Sequence, residues 1–519
     1  MSAEVAAFLL AWREPLEIAI LAMACSAIVL SVDDFIVDIS YWWLRLRGRL
    51  RENHGLPPPD ELARLPEKPL AVMVPAWHES DVIHAMLTTN ARLMQYKAVH
   101  YFVGVYENDP DTLREVRRAQ AVSSRIHAVI LPREGPTSKA DCLNEIIGRA
   151  LAMESELGLA FEGFVMHDAE DLIHPMELRV FNAALDQYDF VQLPVYSFTR
   201  RLRDLVAGVY MDEFAENHGK DLQVREALGG FVPCAGVSAC FSRRAIGKLG
   251  ERQAGEVFPA GSLTEDYEAA FHLSEIGLHS AFIRYTADYY MDTPRGSGAP
   301  KLVRQDMTVS TREHFPDAFR AAYRQRARWN LGIVLVGNDQ LGWTGSRGTR
   351  LFLARDRKGV IAVPAVMIGY VLFVTYVALR LVLYFGWGDV PGSSVMDTAA
   401  AWWLIGASLL LALWRMGHRM HFTSKLYGWR HGLMSLPRFI VGNFVNFWAM
   451  CRAVRLYTLH RLFGKPLSWD KTAHTYPDTL ATQLPSLLAP GLSRQPAMSD
   501  AAARAELERA MGRPPGSLR

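Results

Sequence analysis

Between about residue 70 and residue 335 the chain alternates short apolar runs with helical stretches, and this pattern constrains the fold more than any other feature. The runs are Leu70–Val74, Tyr101–Tyr106, His127–Leu131, Gly163–Met166 and Phe190–Leu193, with helical stretches such as Lys139 to Glu154 between several of them. Strand–helix alternation with short loops predicts an α/β layer built on a mainly parallel sheet. Ligands on such sheets bind at the carboxyl ends of the strands. Polar clusters fall there: Trp77-His78-Glu79, Glu107-Asn108-Asp109 and Asp168 through Asp171.

The segments on either side are different in kind. Leu16 to about Val37 is apolar except for Glu17 and Asp33-Asp34, and it just reaches the length of about 20 residues that a membrane span needs. Val360 to about Phe385 and about Ala399 to Trp414 are the second and third candidates. Basic residues cluster on one side of these spans: Arg45, Arg47, Arg49 and Arg51; Arg347, Arg350, Arg355, Arg357 and Lys358; Arg415, Arg419, Lys425 and Arg430. Gly386–Thr398, between the last two spans, has no Lys or Arg. The positive-inside tendency therefore places the α/β segment in the cytosol. Asp33 and Asp34 fall near that inner interface, where carboxylates are hydrated or paired. Leu433 to Tyr457 is apolar but broken by Arg438, Asn443, Asn446, Arg452 and Arg455, which favours a helix at the interface or packed on others over a further span.

The expected organisation is an N-terminal membrane helix in 1–40 and a basic, Pro-rich linker in 41–69. A cytosolic α/β domain in 70–340 follows. Residues 341–460 hold two membrane helices (about 360–385 and 399–414) and the helix at 433–457. A polar cytosolic tail, 461–519, contains one short helix, Asp500–Met511. The first apolar stretch has neither a basic start nor an A-x-A-type exit, so no cleavable signal peptide is expected.

Composition excludes several classes. A formal charge of +2 over 519 residues gives no global basic surface for nucleic acid. The five cysteines (Cys25, Cys142, Cys234, Cys240, Cys451) are odd in number and show no CxxC spacing, against both a disulfide framework and a thiolate metal site. No G-x-G-x-x-G follows a strand, against a dinucleotide-dependent dehydrogenase.

Four clusters carry chemistry. Val165 through Asp171 ends a strand. If the strand continued, Asp168 and Glu170 would point the same way and could hold a hard cation that bridges a diphosphate. Read alone, the segment is an acidic loop. Leu263-Thr264-Glu265-Asp266-Tyr267-Glu268 opens a helix; Thr264 reads as its N-cap, and a carboxylate fixed there can also take a proton from a hydroxyl. In Gln325-Arg326-Ala327-Arg328-Trp329, arginine suits phosphate and tryptophan suits a sugar face, although a basic amphipathic helix at a membrane reads the same way. In Pro136 through Asn144, Ser138 caps a helix and Lys139 opposes its dipole, which an anionic ligand would relieve.

Taken in order, these pieces resemble the membrane-bound glycosyltransferases of family 2, the group of the cellulose and hyaluronan synthases. The resemblance lies in Val74-Pro75-Ala76-Trp77-His78-Glu79, Ser138-Lys139-Ala140 with Asn144, the Asp168-Ala169-Glu170 element, Thr264-Glu265-Asp266 and Gln325 through Trp329. Within the family it is greatest to the phage-adsorption type of the bacterial inner membrane. That closer likeness rests on Asp168 through Asp171 with His174-Pro175, on Arg312-Glu313-His314-Phe315-Pro316, and on Trp469-Asp470-Lys471-Thr472.

The resemblance implies a GT-A nucleotide-binding fold and a metal-dependent, inverting transfer from a nucleotide sugar, a UDP-sugar, to a growing exopolysaccharide or a lipid-linked acceptor. Asp168 and Glu170 would bind Mg²⁺ or Mn²⁺. Together with Glu79, Asp109 and Lys139 they would hold the donor. Asp266 would be the general base. Cys234, Gly236, Glu265, Gln325, Arg328 and Trp329 would line the acceptor or diphosphate. Two departures stand out: Asp-Ala-Glu in place of Asp-x-Asp, and Glu107-Asn108-Asp109 where relatives carry paired Asp. The implied partners are the donor, the acceptor, the bilayer of the inner membrane and an outer-membrane partner, with export of the product. The rival class is a non-catalytic membrane scaffold for surface-receptor or phage-adsorption assembly.

Overall fold

The computed structural model describes residue 4 and residues 11–50, 52–94, 96–253, 255–293, 301–385 and 394–465. Trp469 through Thr472, the helix expected at Asp500–Met511 and most of Gly386–Thr398 lie outside these.

Seven strands form the central sheet: β1 (Leu70–Pro75), β2 (Val99–Val105), β3 (Ile126–Ile130), β4 (Gly163–Met166), β5 (Phe190–Gln192), β7 (Ala239–Ser242) and β8 (Ser280–Phe282). Their order is β3-β2-β1-β4-β7-β5-β8, and every pairing is parallel except those of β7. β6 (Val195–Ser197) pairs with β11 (Thr311–Glu313), and β9 (Thr286–Thr293) with β10 (Lys301–Thr308). The apolar runs thus become strands for a clear reason. Along β1, Leu70, Val72 and Val74 enter one core while Ala71 and Met73 enter the other. A strand covered on both faces has no polar side to show, so its sequence runs apolar without a break.

Helices lie between and after these strands along the chain. They include α2 (Ile83–Leu93), α3 (Pro110–Val122), α4 (Lys139–Leu157), α5 (Glu177–Ala184), α6 (Leu205–Glu216), α7 (Leu222–Ala227), α8 (Arg243–Arg252), α9 (Glu265–Glu275) and α10 (Phe319–Trp329). Ser138 caps α4 by accepting from the Asp141 N–H at 3.1 Å, and Gly158 ends the helix in the left-handed region at φ 64°. A π-helical turn, Asn217–Asp221, joins α6 to α7, and a second, Asn330–Val336, follows α10.

Among the described residues, three helices are long and apolar enough to cross a membrane: α1 (Arg13–Leu46), α13 (Gly359–Tyr384) and α14 (Ala399–Tyr427). α11 (Gly337–Leu341) and α12 (Arg347–Arg357) precede α13, and α15 (Trp429–Phe463) closes the described chain. Both α1 and α14 run past their apolar stretches. Their polar extensions are held by ion pairs. Asp33 and Asp34 of α1 meet Arg355 and Lys358, Asp34 also meets Arg415, and Asp38 meets Lys220 of the first π turn. Arg419 of α14 reaches Glu216 at 2.5 Å. Asp33, Asp34 and Asp38 of α1 are thus paired.

α15 is no apolar rod. One face (Gly432, Ser435, Arg438, Gly442, Val445, Ala449, Ala453) is buried, and Arg438 meets Asp212 of α6 at 3.2 Å with no exposure to solvent. Gly208 makes room for it, because a Cβ there would overlap the guanidinium.

Candidate active site

Two of the three polar clusters at the strand ends, those at Trp77–Glu79 and at Asp168–Asp171, contribute to one cavity of ≈ 500 Å³. The segments after β1, β2 and β4 supply Trp77, Glu79, Tyr106, Asp168 and Glu170. The start of α4 supplies Lys139, and the loop before β7 supplies Pro233–Val237. Glu265 and Asp266 come from the start of α9, and Gln325, Arg328 and Trp329 from the end of α10. Both π turns also face it, through Asn217 and His218 and through Asn330, Ile333 and Val334.

Lys139 sits between the two acidic elements. Its Nζ donates to Asp168 Oδ1 at 2.6 Å and to the Gly236 carbonyl at 3.3 Å. Burial disfavours its charge, but Asp168, Glu265 and Asp266 outweigh that and raise its pKa. The anion that relieves a lysine at a helix start is here a protein carboxylate. Burial pushes Glu265 up to about 7, with the charge of Asp266 adding to it. Burial likewise raises Asp266, against the pull of Lys139. Asp266 Oδ1 accepts from the Tyr267 N–H at 2.8 Å. Thr264 holds the N-cap position, but its hydroxyl makes no capping bond, so capping does not account for this element.

Asp168 and Glu170 reach the cavity by a different geometry from the expected one. β4 stops at Met166, and the chain turns over Asp168–Asp171, with the Asp171 N–H on the Asp168 carbonyl at 3.3 Å. The cause is Asp171, whose Oδ2 accepts from the Asp168 N–H at 3.0 Å. The same oxygen lies 2.8 Å from His167 Nδ1, and His167 Nε2 lies 2.7 Å from Glu177. Burial opposes charge on His167, yet Glu177 and Asp171 carry its pKa up to about 10. A buried imidazolium between two carboxylates therefore fixes the turn.

As a donor set, Asp168 and Glu170 fit a hard divalent cation that completes its shell with phosphate oxygens and water. Among the described residues no cluster of three or more His, Cys, Asp or Glu forms a complete cage.

Asp109 does not line the cavity. It is buried as the N-cap of α3, accepting from Thr112 N–H at 3.4 Å and from His78 N–H at 2.6 Å. It thereby holds His78 at φ 54°, next to Trp77 and Glu79. Pro110 at the first helical position is the sequence signal for such a cap. Cys234 is buried, which pushes its thiol well above the usual value, and its Sγ accepts from the Gly236 N–H at 3.4 Å. Of the Gln325–Trp329 segment, Arg326 points away: it pairs with Glu213 at 2.6 Å and Asn446 at 2.8 Å and lies over the Tyr210 ring. Gln325 Oε1 is buried with no hydrogen-bond partner among the described residues.

Sequence reasoning missed several cavity residues. Tyr267 directly follows the acidic element and so could have been included. Glu313 and Phe315 belong to a segment already singled out. Arg225, Asp356 and the π turns carry no local signal.

Comparison with known proteins gives the following. The model of the family described as glycosyltransferase like family 2 matches residues 66–332. Bacteriophage adsorption protein B of Escherichia coli strain K12 and Bacteriophage N4 adsorption protein B of Escherichia coli O157:H7 are each 39% identical over 481 residues, 90% of this chain. The chain spans 63% of the length of those relatives. Among solved structures, mannosyltransferase PcManGT from Pyrobaculum calidifontis, in complex with GDP-Man and Mn²⁺, is similar at a TM-score of 0.47 and 18% identity. That likeness covers 82% of this chain and 98% of that one.

Proposed function

From the premise that this chain belongs to glycosyltransferase family 2, with the GT-A α/β fold of that family, we propose that it transfers a sugar from a nucleotide-sugar donor to a growing surface glycan by an inverting reaction. The observation that carries this reading is the convergence of Asp168, Glu170, Lys139, Glu265 and Asp266 on one cavity, with Arg328 and Trp329 on its wall.

In the proposed step, the Asp266 carboxylate takes the proton of an acceptor hydroxyl. The hydroxyl oxygen forms its bond to the anomeric carbon as the bond from that carbon to the diphosphate breaks, and the electron pair leaves with the nucleotide. Burial of Asp266 raises its basicity, which suits a proton acceptor. Lys139 and Arg328 supply positive charge beside the departing diphosphate. Asp168 and Glu170 would hold Mg²⁺ or Mn²⁺, which when bound supplies Lewis-acid stabilisation of that charge. Asp109, through His78, shapes the donor end rather than touching the donor. Trp77 and Tyr106, with ring centroids 5.1 Å apart, stand beside it.

In this reading the enzyme sits in the bacterial inner membrane with its α/β domain on the cytosolic side, which the three candidate membrane helices and their basic flanks support. The names of the two relatives suit an enzyme whose product is displayed where a phage meets the cell. The product would leave between the membrane helices.

A panel of UDP- and GDP-sugars with Mg²⁺ or Mn²⁺, read as nucleotide release by the purified full chain, tests the activity. Asp266→Asn should keep donor binding and lose about 10²–10⁴ in turnover. Near wild-type transfer by that variant would remove Asp266 from the role. Release by no donor on the panel would favour the scaffold reading.

A further inference from the structure

Tyr267, the residue after the proposed base, is anchored at its far end. Its hydroxyl donates to Asp356 Oδ2 at 2.6 Å. Asp356 is also gripped by Arg225, whose Nη1 reaches both carboxylate oxygens at 3.1 and 2.9 Å. Arg225 is buried, donates through Nε to the Phe231 carbonyl at 2.8 Å and lies over the Phe231 ring at 4.2 Å. The Phe231 ring meets that of Tyr267 edge-on at 5.2 Å. Asp356 thus joins three walls of the cavity: α9, which carries Asp266; the loop from Phe231 to Gly236; and α12, which leads into α13.

The neighbours of Asp356 extend the connection. Arg355 pairs with Asp34 at 2.5 Å and with Asp221 of the first π turn at 2.8 Å, and Lys358 pairs with Asp33 at 2.7 Å. One guanidinium nitrogen shared between both carboxylate oxygens, together with a short phenol hydrogen bond, is charge-assisted and directional. It resists rotation of the first turn of α9 about its own axis.

We propose that Asp356 is a positioning residue: by clamping Tyr267 against Arg225 it holds Asp266 in line with the acceptor and ties that orientation to the membrane helices. This rests on the reading of Asp266 as the base. A base displaced by about 1 Å loses up to about 10²-fold in rate without loss of substrate binding.

The test uses the full-length protein in lipid nanodiscs, with Tyr267→Phe, Asp356→Asn and the double variant. Tyr267→Phe removes only the hydroxyl and keeps the packed ring, so it reports even if Asp356→Asn folds poorly. Hydrogen exchange at amides 268–271 should speed up about tenfold in each variant, with α4 unchanged. On whichever UDP- or GDP-sugar the panel shows to be turned over, kcat should fall ten- to about a hundredfold at a donor KM within about twofold. The double variant should be no slower than the slower single one, since both act through one hydrogen bond. Unchanged exchange in Tyr267→Phe, a loss carried by KM, or additive losses would each overturn the proposal. Asp266→Asn runs alongside. Full turnover there overturns the base, whereas a dead Asp266→Asn with a normal Tyr267→Phe overturns only the clamp. If no donor is turned over, exchange alone decides.

Discussion

Gly236 and Asp266 approach each other so closely that a Cβ built on Gly236 would stand 2.6 Å from Asp266 Oδ2. Gly236 also has φ 80°, a conformation side chains rarely adopt. Gly236→Ala should therefore push the Asp266 carboxylate aside and strain the loop. We expect a stability cost of about 1–2 kcal/mol and a fall in turnover of at least tenfold, with donor affinity little changed. Thermal unfolding and steady-state kinetics check both.

Glu265 gives a pH signature. Its pKa is raised by burial from 4.5 to about 7. A raised carboxyl contributes stability that is complete below the unfolded-state value and is lost as pH rises to about 7. Glu265→Gln removes that loss. It should match the wild type near pH 4 and be more stable at pH 8, by about 3 kcal/mol. A stability difference that stays flat between those limits would contradict the assignment.

Because burial also raises Asp266, the acid limb of kcat should lie above the ordinary carboxylate range. The base works only when ionised, so turnover rises with pH through that limb. Asp266→Asn should abolish the limb together with the activity, and a pH–rate profile at saturating donor measures it.

The imidazolium of His167 holds two buried carboxylates, Asp171 and Glu177. His167→Ala leaves both without their cation and should cost about 3–5 kcal/mol. Since Asp171 also orients the Asp168 N–H, nucleotide binding should weaken along with stability. Differential scanning fluorimetry with and without UDP or GDP reads both effects.

Lys220 is the matching case at the membrane junction. It is 2% exposed and meets Glu216 at 2.8 Å, Asp221 at 3.4 Å and Asp38 of α1. Lys220→Met should destabilise by about 3–5 kcal/mol. Its effect should extend to the cavity wall, because Asn217 and His218 lie in the same turn. A variant as heat-stable as the wild type would show that the α1 contact contributes nothing.

The sheet was legible because burial on both faces leaves an uninterrupted apolar signature, and Gly163–Met166 shows it from end to end. Asp266 was legible because carboxylates at a helix start are conspicuous, and the order of the clusters narrowed their chemistry. The geometry of Asp168 and Glu170 was not. Alternation assumes that the strand goes on, and the side chain that stops it, Asp171, looks like one more acid in a run of acids. Asp356 was beyond reach for another reason. It lies 89 residues from Tyr267, inside a basic segment whose charge pattern reads as a membrane flank. Arg438 likewise looks like an interruption of an apolar helix. Only the cleft opened by Gly208 and the carboxylate of Asp212 turn it into a buried anchor.

The ion pairs at the acidic end of α1 also set a timetable. Asp33 leaves the ribosome 325 residues before Lys358, its partner. At about 5–20 residues per second, that interval is on the order of 20–60 s. During it the whole α/β domain is made, and only Asp38 gains its cation early, when Lys220 emerges. Asp33 and Asp34 of the first helix therefore wait for Arg355 and Lys358 until the end of α12 is made. A chain halted before residue 355 should therefore keep an unmatched anionic end on α1.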